Sequence, residues 1–467
     1  MRALEFLIEE QEKLDSDEFK QILTAGVVSL SNLFHKNGFE LRIVGGAVRD
    51  LMLGKLPKDT DLASDATPDE MVEMFEKGNI KYIPTGLQHG TITAVINDEQ
   101  LEITTLRADT EHTGRHATVE FIRSWEEDAK RRDLTYNAMS LDLDGTVYDY
   151  FNGANDLQDK VSKFVGDPVQ RIQEDYLRIL RYFRFQGRIG NPTWEKDTLD
   201  AIKNNAKGLT QISGERIWME IQKILVGKNV KDILVHLEKT GVTKNINLPL
   251  DNIELAEKVS IMQSPIVPLA SLMRNTKDVD AIGNAWKLSN AEMQLLAFLT
   301  EFKNTPLTQQ RAEEFLVDGT HQYFVYALAK MQGKDAIGNH IRKWQVPEFP
   351  VTGKDLISAG VKPGPNMGAL LTKLRDEWKT KNYKPSKEDL LKDLAPEKRV
   401  SQRQKHQFNE YYRSGREDKK AAQFRVSRRQ MLLNLLGISA AEARGKTNED
   451  LKAMLDAREL SYAMEAE

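Results

Sequence analysis

The residues of this chain best suited to chemistry are two glycines, an arginine and two aspartates between positions 45 and 61. Asp59 and Asp61 are two residues apart, so on a strand both carboxylates point to the same face. Their oxygens suit a hard divalent cation such as Mg²⁺, which shares its coordination shell with substrate phosphates. Gly45 and Gly46 allow the backbone to approach a triphosphate, and Arg49 can donate a planar fork of N–H groups to phosphate oxygens. Each piece alone is usually structural, whereas the ordered combination predicts a nucleotide site.

A mixed sheet has to position these groups. Residues 42–44 are predicted to end one buried strand, and residues 59–63 to lie in another. Local patterns predict further strands at 91–96, 101–106 and 118–121, and a hairpin over 141–148.

Helices are predicted on either side of this sheet region. Residues 1–38 have a helical pattern that ends at an Asn-Gly turn, and Thr67 is a predicted N-cap for a helix over 68–77. After about residue 151 strand signals nearly vanish, and helical periodicity covers 170–186, 213–225 and 230–240. The sequence therefore predicts an α/β first part followed by an all-α remainder.

Composition excludes several classes of site. The chain has 467 residues, a net charge of -4 and no cysteine, which excludes disulfides, thiolate nucleophiles and cysteine zinc sites. No apolar run is long enough to predict a membrane span, and the acidic N-terminus resembles neither a secretory signal nor a transit peptide. Residues 397–430 are basic with interleaved aromatics, which indicates either a phosphate-backbone contact surface or a solvated helix or tail.

Two later segments extend the opening motif. Glu102 lies in an alternating strand and can complete a carboxylate trio with the two aspartates, or it is a surface glutamate on an edge strand. In the segment RRDLTYNAM, Arg132 can hold phosphate or ribose and Asp133 can accept from sugar hydroxyls. A helix cap with an ordinary salt bridge is the alternative for that segment.

A third segment, EDYLRILRYFRF, has a spacing that can select bases. Asp175 and Arg178 are three apart and share a face on a helix, and Arg181 and Arg184 continue the row. A carboxylate accepts from an amino group and a guanidinium donates to a ring nitrogen, a pattern that cytosine and adenine match and that guanine and uracil do not. The alternative is an intrahelical ion pair beside a solvated arginine stripe.

These motifs together resemble those of a known family. GGAVRDLMLGKLPKDTDLA, RRDLTYNAM, a DYFNGANDL hinge, EDYLRILRYFRF and ISGERIWMEIQKIL occur in the order of the class II tRNA nucleotidyltransferases, the CCA-adding enzymes. These belong to the polymerase-β-like nucleotidyltransferase superfamily. The specific match covers about residues 40–225, and VTGKDLISAGVKPGPNMGALLTKLRDEW is similar to the tail segment of mitochondrial and eukaryotic members.

The resemblance implies roles for individual residues. Asp59 and Asp61 would be catalytic Mg²⁺ ligands, and Glu102 the third catalytic acid. Nucleotide contacts are implied at Gly45, Gly46, Arg49, Arg132, Asp133, Asp175, Arg178, Arg181 and Arg184. A flexible loop used in switching from C to A would contain Arg107, Arg115 and His116, and Glu215 and Arg216 would brace the nucleotide-selecting helix.

The resemblance also implies an elongated, multi-domain organisation. The expected parts are a catalytic nucleotidyltransferase head of mixed sheet and helices, then a helical neck, body and tail, and a basic extension without an assigned role. Their expected bounds are 1–150, 151–225, 226–345, 346–394 and 395–467.

The implied activity is addition of CCA to the 3′ end of tRNA from CTP and ATP, with release of pyrophosphate. The alternatives are a CC-only or A-only transferase, a poly(A) polymerase of the same superfamily, or a tRNA-binding protein without catalysis. An intracellular location is expected, without a choice between cytoplasm, mitochondrion and nucleus, and the sequence predicts no oligomeric state.

Overall fold

A computed structural model of the chain describes residues 13–113, 116–189, 193–392 and 450, without the side chains of residues 109–119. The chain divides into two compact units, residues 1–249 and 250–467. Every strand in the described ranges lies in the first unit. None of the helices in those ranges combines the length and apolar character needed to cross a membrane.

The first unit is built on a seven-stranded sheet and a separate two-stranded ribbon. The strands are β1 (Leu41–Val44), β2 (Leu62–Ser64), β3 (Lys81–Gly86), β4 (Thr91–Ile96), β5 (Glu99–Thr105), β6 (Arg107–Thr113), β7 (His116–Phe121), β8 (Ser140–Leu141) and β9 (Val147–Tyr148). The large sheet has the order β3-β4-β5-β2-β1-β8-β9, and β6 pairs with β7. Only β2 and β5 run parallel; every other pair in the described residues is antiparallel. The sheet is therefore mixed, as the sequence predicts.

Most predicted strands are confirmed. β1 ends at Val44 and is buried along its whole length, β4 has the predicted bounds, and β5 and β7 overlap the predictions at 101–106 and 118–121. The hairpin over 141–148 is formed by β8 and β9, and Gly145 in its turn has φ of +91°. Positive φ is the conformation that this turn requires and that glycine adopts without strain.

The predicted strand over residues 59–63 is wrong at its beginning. β2 starts only at Leu62, and Asp59 and Asp61 lie in the irregular segment that leads into it. Leu62, Ala63 and Ser64 are fully buried between β1 and β5, whereas the two aspartates are exposed. The chain enters the sheet only where apolar side chains replace charged ones, because a buried carboxylate without a partner is costly.

Helices of the first unit cover the sheet and then continue the chain. They are α1 (Asp17–Ile22), α2 (Ala25–Lys36), α3 (Gly46–Met52), α4 (Pro68–Lys77), α5 (Trp125–Lys130), α6 (Gly153–Gln158), α7 (Pro168–Glu174), α8 (Leu177–Gln186), α9 (Lys196–Asn205), α10 (Gly214–Leu225), α11 (Val230–Lys239) and α12 (Val242–Asn245). α4 begins as predicted, because Thr67 forms a reciprocal capping box with Glu70. α2 ends before the predicted Asn37-Gly38 turn.

The core of the first unit joins α2 and α4 to the sheet. α2 packs on β1 and β5, and α4 packs on β3 and β4. Phe34 and Phe75, both completely buried, meet edge to face with ring centroids 6.1 Å apart. Burial of such rings contributes roughly 1.5–3 kcal/mol each, so this contact holds the helices firmly on the sheet that carries the site.

Gly153 packs where the hinge segment DYFNGANDL meets the segment RRDLTYNAM. A Cβ on Gly153 would lie 2.5 Å from the carbonyl oxygen of Thr135. We expect Gly153→Ala to lower the free energy of unfolding by about 1–3 kcal/mol, because backbone atoms cannot move away cheaply. Urea unfolding followed by circular dichroism measures this. Gly368→Ala is the control, since the structure places nothing within 4 Å of that Cβ; equal losses in both variants would contradict the packing argument.

The described part of the second unit is helical. Its helices are α13 (Ile253–Val259), α14 (Ile266–Leu272), α15 (Thr276–Trp286), α16 (Asn290–Phe302), α17 (Gln309–Val317), α18 (Gln322–Met331), α19 (Asp335–Lys343), α20 (Gly353–Ser358), α21 (Pro365–Thr380) and α22 (Lys387–Leu391). Trp378 of α21 is buried in a cluster with Leu356 and Leu390. The predicted order of an α/β part and then helices is confirmed. The five-part division remains a prediction, and its last part lies outside the described residues apart from Asp450.

Candidate active site

β1 leads into a glycine turn that lies against the segment carrying Asp61. The N–H of Val44 donates to the carbonyl oxygen of Asp61 at 3.0 Å, and the N–H of Gly45 donates to the carbonyl oxygen of Met139 at 3.2 Å. Gly45 has φ of +69°, which a residue with a Cβ adopts only with strain. A Cβ there would lie 2.8 Å from Nη1 of Arg132, so glycine also leaves room for this guanidinium. The turn, Asp61 and Arg132 therefore lie together.

The two aspartates are exposed beside the glycine turn, and the sheet register brings Glu102 level with Asp61. In the parallel pairing of β2 with β5, Leu62 lies opposite Ile103. The residues one step earlier, Asp61 and Glu102, are therefore neighbours in the extended register, and both are exposed. Within the described residues, however, no three His, Cys, Asp or Glu side chains converge closely enough to hold a metal ion. The structure is thus consistent with Asp59 and Asp61 as a pair of metal ligands, and it does not bring Glu102 close enough to form the predicted trio.

The electrostatics of Asp61 fit a cation. Desolvation of its carboxylate raises the pKa of Asp61, Arg132 opposes the rise, and the negative charge of Asp59 adds to it. A bound divalent cation would offset the negative charge of Asp59 that disfavours ionisation of Asp61. Both aspartates offer hard oxygen donors at a solvent-open position, and Mg²⁺ is commonly held by one or two carboxylates together with substrate phosphates. The pair therefore fits a divalent ion.

Asp128 orients the two arginines of the RRD segment. This buried carboxylate accepts from Nε of Arg131 at 2.9 Å and from Nη2 of Arg132 at 3.2 Å. Burial opposes ionisation of Asp128, but Arg132 and Arg131 together lower its pKa below the usual value. Sequence reasoning missed this residue, although its position three and four residues before the arginines is the spacing of helical ion pairs. Arg132 is thereby held on the glycine turn.

A chain of hydrogen bonds connects α3 to α8 through the RRDLTYNAM segment. Arg49, one turn after Gly46, donates from Nη1 to Oδ1 of Asn137 at 2.8 Å. Nδ2 of Asn137 donates to Oδ1 of Asp133 at 3.3 Å, and Oδ2 of Asp133 accepts from Nε of Arg181 at 2.6 Å. Burial opposes ionisation of Asp133, but Arg181 and then Asn137 lower its pKa. Arg49 and Arg181, two predicted nucleotide contacts, are thus fixed relative to each other by a buried amide and a buried carboxylate.

Asn137 is a positioning residue that the sequence did not reveal. We expect Asn137→Ala to raise KM about tenfold for CTP, the substrate that the resemblance implies, because Arg49 and Asp133 each lose a buried partner. Steady-state kinetics at saturating RNA measure this. Asn155→Ala is the matched control, since that amide bonds only to exposed Asn152 in the described structure. An unchanged KM would show that the chain does not position the arginines.

The predicted helix over 170–186 is broken at Asp175. α7 ends at Glu174, Asp175 has extended backbone angles, and α8 begins at Leu177. Oδ1 of Asp175 accepts from the N–H of Leu177 at 3.1 Å, and Oδ2 accepts from Nη2 of Arg216 at 2.7 Å. A short acidic side chain that bonds its own backbone two residues on competes with helix continuation. Asp175 therefore caps α8 and does not stand in a row on its face.

Arg178 and Asp175 lie close in sequence but are held by different partners. Arg178 forms an ion pair with Glu174 and donates from Nη1 to the carbonyl oxygen of Arg171 at 2.9 Å. Its Nη2 donates to the carbonyl oxygen of Arg131 at 3.3 Å. The prediction that the two side chains share a helix face is therefore wrong. Each is instead fixed independently at the start of α8.

The remaining arginines of α8 face different neighbours. Arg181 pairs with Asp133, whereas Arg184 is buried and pairs with Glu220 of α10 at 3.1 Å. Burial lowers the pKa of Arg184 to about 10 although Glu220 opposes the shift. The predicted brace is partly visible: Arg216 of α10 contacts Asp175, and Glu215 is exposed.

The predicted flexible loop coincides with the ribbon of β6 and β7. Arg107 opens β6, where its Nη1 donates to the carbonyl oxygen of His89 at 2.6 Å and its N–H to Asp128 at 3.2 Å. Arg115 lies outside the described residues, as does the side chain of His116. Arg107 is thus tied to the same buried carboxylate as Arg132.

Two protein-family models match the chain. The model described as "Poly A polymerase head domain" matches residues 41–163, which contain the glycine turn, the aspartates and the RRDLTYNAM segment. The model described as "Probable RNA and SrmB- binding site of polymerase A" matches residues 193–252. The site thus falls within the first match, and α8 lies between the two.

Curated proteins and solved structures resemble the chain over most of its length. It is 43% identical over 403 residues to the mitochondrial CCA tRNA nucleotidyltransferase 1 of Danio rerio, covering 82% of this chain and 93% of that protein. The human protein of the same name is 44% identical over 398 residues, covering 81% and 92%. A crystal structure of the Bacillus stearothermophilus CCA-adding enzyme in complex with CTP has a TM-score of 0.67 at 25% identity, covering 85% of this chain and 100% of that one.

Proposed function

Because this chain belongs to the family of CCA tRNA nucleotidyltransferases, we propose that it adds C, C and A to the 3′ end of tRNA, using CTP and ATP and releasing pyrophosphate. The observation that carries the proposal is the position of Asp61 beside the glycine turn and Arg132, with the charge of Asp59 acting on Asp61. That arrangement offers metal ligands and phosphate donors in one place.

The first step assigned to the residues of the site is binding of the triphosphate. CCA-adding enzymes as a family use divalent metal ions, and we assign Mg²⁺ to Asp59 and Asp61. When bound, the ion would supply Lewis-acid stabilisation of the reacting phosphate and activation of the attacking hydroxyl. Gly45 leaves space for the guanidinium of Arg132, and Arg132, held by Asp128, adds positive charge where negative charge develops. Glu102 is proposed as an additional acid that adjoins Asp61 in the sheet register.

Selection of the base is assigned to Asp175 and Arg178. Oδ1 and Oδ2 of Asp175 can accept from an amino group, and Arg178 can donate to a ring nitrogen. Both side chains are largely shielded from solvent, with exposed fractions of 24% and 12%. In such a place a base with the opposite pattern leaves polar groups unpaired, which disfavours GTP and UTP. Arg181 and Arg184 would support the nucleotide from the same helix.

Recognition of tRNA is proposed for the helices that follow the head. Residues 193–252 match a family model described as a probable RNA-binding site, which supports this assignment. Contacts to phosphate and to helix shape position an RNA without reading its sequence. The Danio rerio and human relatives are named as mitochondrial proteins, which supports an intracellular location for this chain.

The test is incorporation into tRNA that ends at the discriminator base. We expect CTP alone to extend it by CC, ATP alone to give no extension, and the mixture to complete CCA. A product that stops at CC would favour a CC-only transferase, and long A-tails on unrelated RNA would favour a poly(A) polymerase. Binding of tRNA without any incorporation would favour a non-catalytic protein.

A further inference from the structure

Four guanidinium groups surround the ring of Phe185, a buried residue of α8. Their carbon atoms lie 5.0, 5.4, 4.1 and 5.8 Å from the ring centroid, for Arg49, Arg181, Arg184 and Arg188 respectively. An aromatic face attracts cations, which explains how the ring tolerates these neighbours. This attraction does not remove the electrostatic repulsion among the four positively charged guanidinium groups. The cluster therefore needs negative charge from elsewhere.

Three of the arginines have a carboxylate of their own. Arg49 pairs with Asp50 at 2.7 Å, and the pairs of Arg181 with Asp133 and of Arg184 with Glu220 are described above. These three arginines are thereby neutralised in place. Arg184 nevertheless keeps a buried Nε without a hydrogen-bond partner in the described structure.

Arg188 is the exception within the cluster. It is exposed, and among the residues that the structure describes its guanidinium makes no hydrogen bond or ion pair. Its pKa is lowered, first by desolvation of the group and then by the positive charge of Arg49. A cation that is disfavoured in this way gains from a bound anion.

Lys223 of α10 brings a fifth cation to the same place. Its Nζ lies 4.0 Å from Glu220, the carboxylate that already holds Arg184. Desolvation lowers the pKa of Lys223, and among the arginines Arg184, Arg181 and Arg188 lower it further. Lys223 is half-exposed, so both it and Arg188 reach solvent. The five cations are matched by three paired carboxylates, which leaves a surplus of positive charge at an open edge.

We propose that Arg188 and Lys223 form a phosphate-binding site at the solvent-open edge of the proposed nucleotide site. The site rests on the proposed function and adds two residues to it. A planar fork beside an ammonium suits the oxygens of a phosphate. Two sources share this chemistry: the triphosphate of the incoming nucleotide and a backbone phosphate near the 3′ end of the RNA.

Direct binding measurements test the proposal. The full chain and its variants Arg188→Ala, Lys223→Ala and the double variant are titrated with CTP, and separately with fluorescent tRNA lacking CCA at several salt concentrations. Loss of one charged contact to phosphate raises Kd about tenfold for the ligand that the site holds. If that ligand is RNA, the dependence of log Kd on log salt also becomes shallower by about one unit. A change confined to CTP assigns the site to the triphosphate, and a change confined to tRNA assigns it to the backbone.

Control variants separate this site from general charge effects. Arg188→Lys keeps the charge and is expected to restore part of the affinity, whereas Lys36→Ala removes an exposed charge from the last turn of α2 and changes neither Kd. Unchanged affinity for both CTP and tRNA in the double variant would overturn the proposal. Failure of the proposed function looks different, because the unaltered chain would then bind these ligands without incorporating CMP or AMP.

Discussion

Asp61→Asn is expected to lower kcat for CMP addition by about a thousandfold or more, because the reaction loses a charged metal ligand worth several kcal/mol. The substitution keeps the size of the side chain. It also keeps the carbonyl oxygen that accepts from Val44, so the glycine turn stays in place. Rapid-quench measurement of CMP incorporation at saturating tRNA and CTP gives kcat, and thermal unfolding shows whether the fold is retained.

Two further variants make the result specific. Asp59→Ala is expected to act in the same direction, since both carboxylates serve one ion. Asp69→Asn removes an exposed acid from the first turn of α4 and should leave kcat unchanged. Full activity of Asp59→Ala would exclude the assignment of Mg²⁺ to this pair of aspartates, and equal damage from Asp69→Asn would point to a general loss of charge.

Arg178→Ala is expected to reduce the preference for CTP and ATP over UTP and GTP by about a hundredfold, because the base pocket loses its donor to a ring nitrogen. Affinity for the triphosphate should change much less, since the assigned phosphate contacts lie on the glycine turn and at Arg132. Single-nucleotide incorporation with each of the four triphosphates gives kcat/KM, whose ratios measure selection.

The contacts of Arg178 call for a second variant. Removal of the Arg178 side chain also breaks its ion pair with Glu174. Arg178→Lys keeps a positive charge near Glu174 but loses the planar fork, so it separates loss of the ion pair from loss of the donor to the base. Arg216→Ala should shift selection in the same direction, because Asp175 loses the donor that holds it. Arg123→Ala, on an exposed pair with Glu70, is the control. Unchanged base preference in both Arg178 variants would move the selecting role elsewhere.

Much of the fold could be predicted because its signals are local. The apolar run that ends at Val44, the Asp144-Gly145 turn and the Thr67 capping box each act over a few residues, and the structure contains all three. The resemblance to CCA-adding enzymes is also confirmed by the relatives. Local patterns and motifs were therefore sufficient to predict the fold class and the family.

Other features depend on contacts that spacing does not show. Helical periodicity runs through Asp175 without interruption, and only its bonds to Leu177 and Arg216 explain the break. The sequence pattern likewise predicted that the second strand begins at Asp59. In the structure the strand and the burial of its side chains begin at Leu62. Asn137 was missed because its hydrogen bonds to Arg49 and Asp133 are visible only in the folded structure. The predicted roles of individual site residues remain proposals.

The hydrogen bond from the N–H of Val44 to the carbonyl oxygen of Asp61 has an evolutionary consequence. It joins the phosphate-facing turn to the acidic segment through main-chain atoms, which every non-proline residue supplies. We therefore expect the side chains around this hydrogen bond to vary among distant homologues while the distance between the glycine turn and Asp61 is retained. Proline at position 44 is the one substitution that removes this donor, so we expect lineages to vary freely there among apolar residues but to exclude proline.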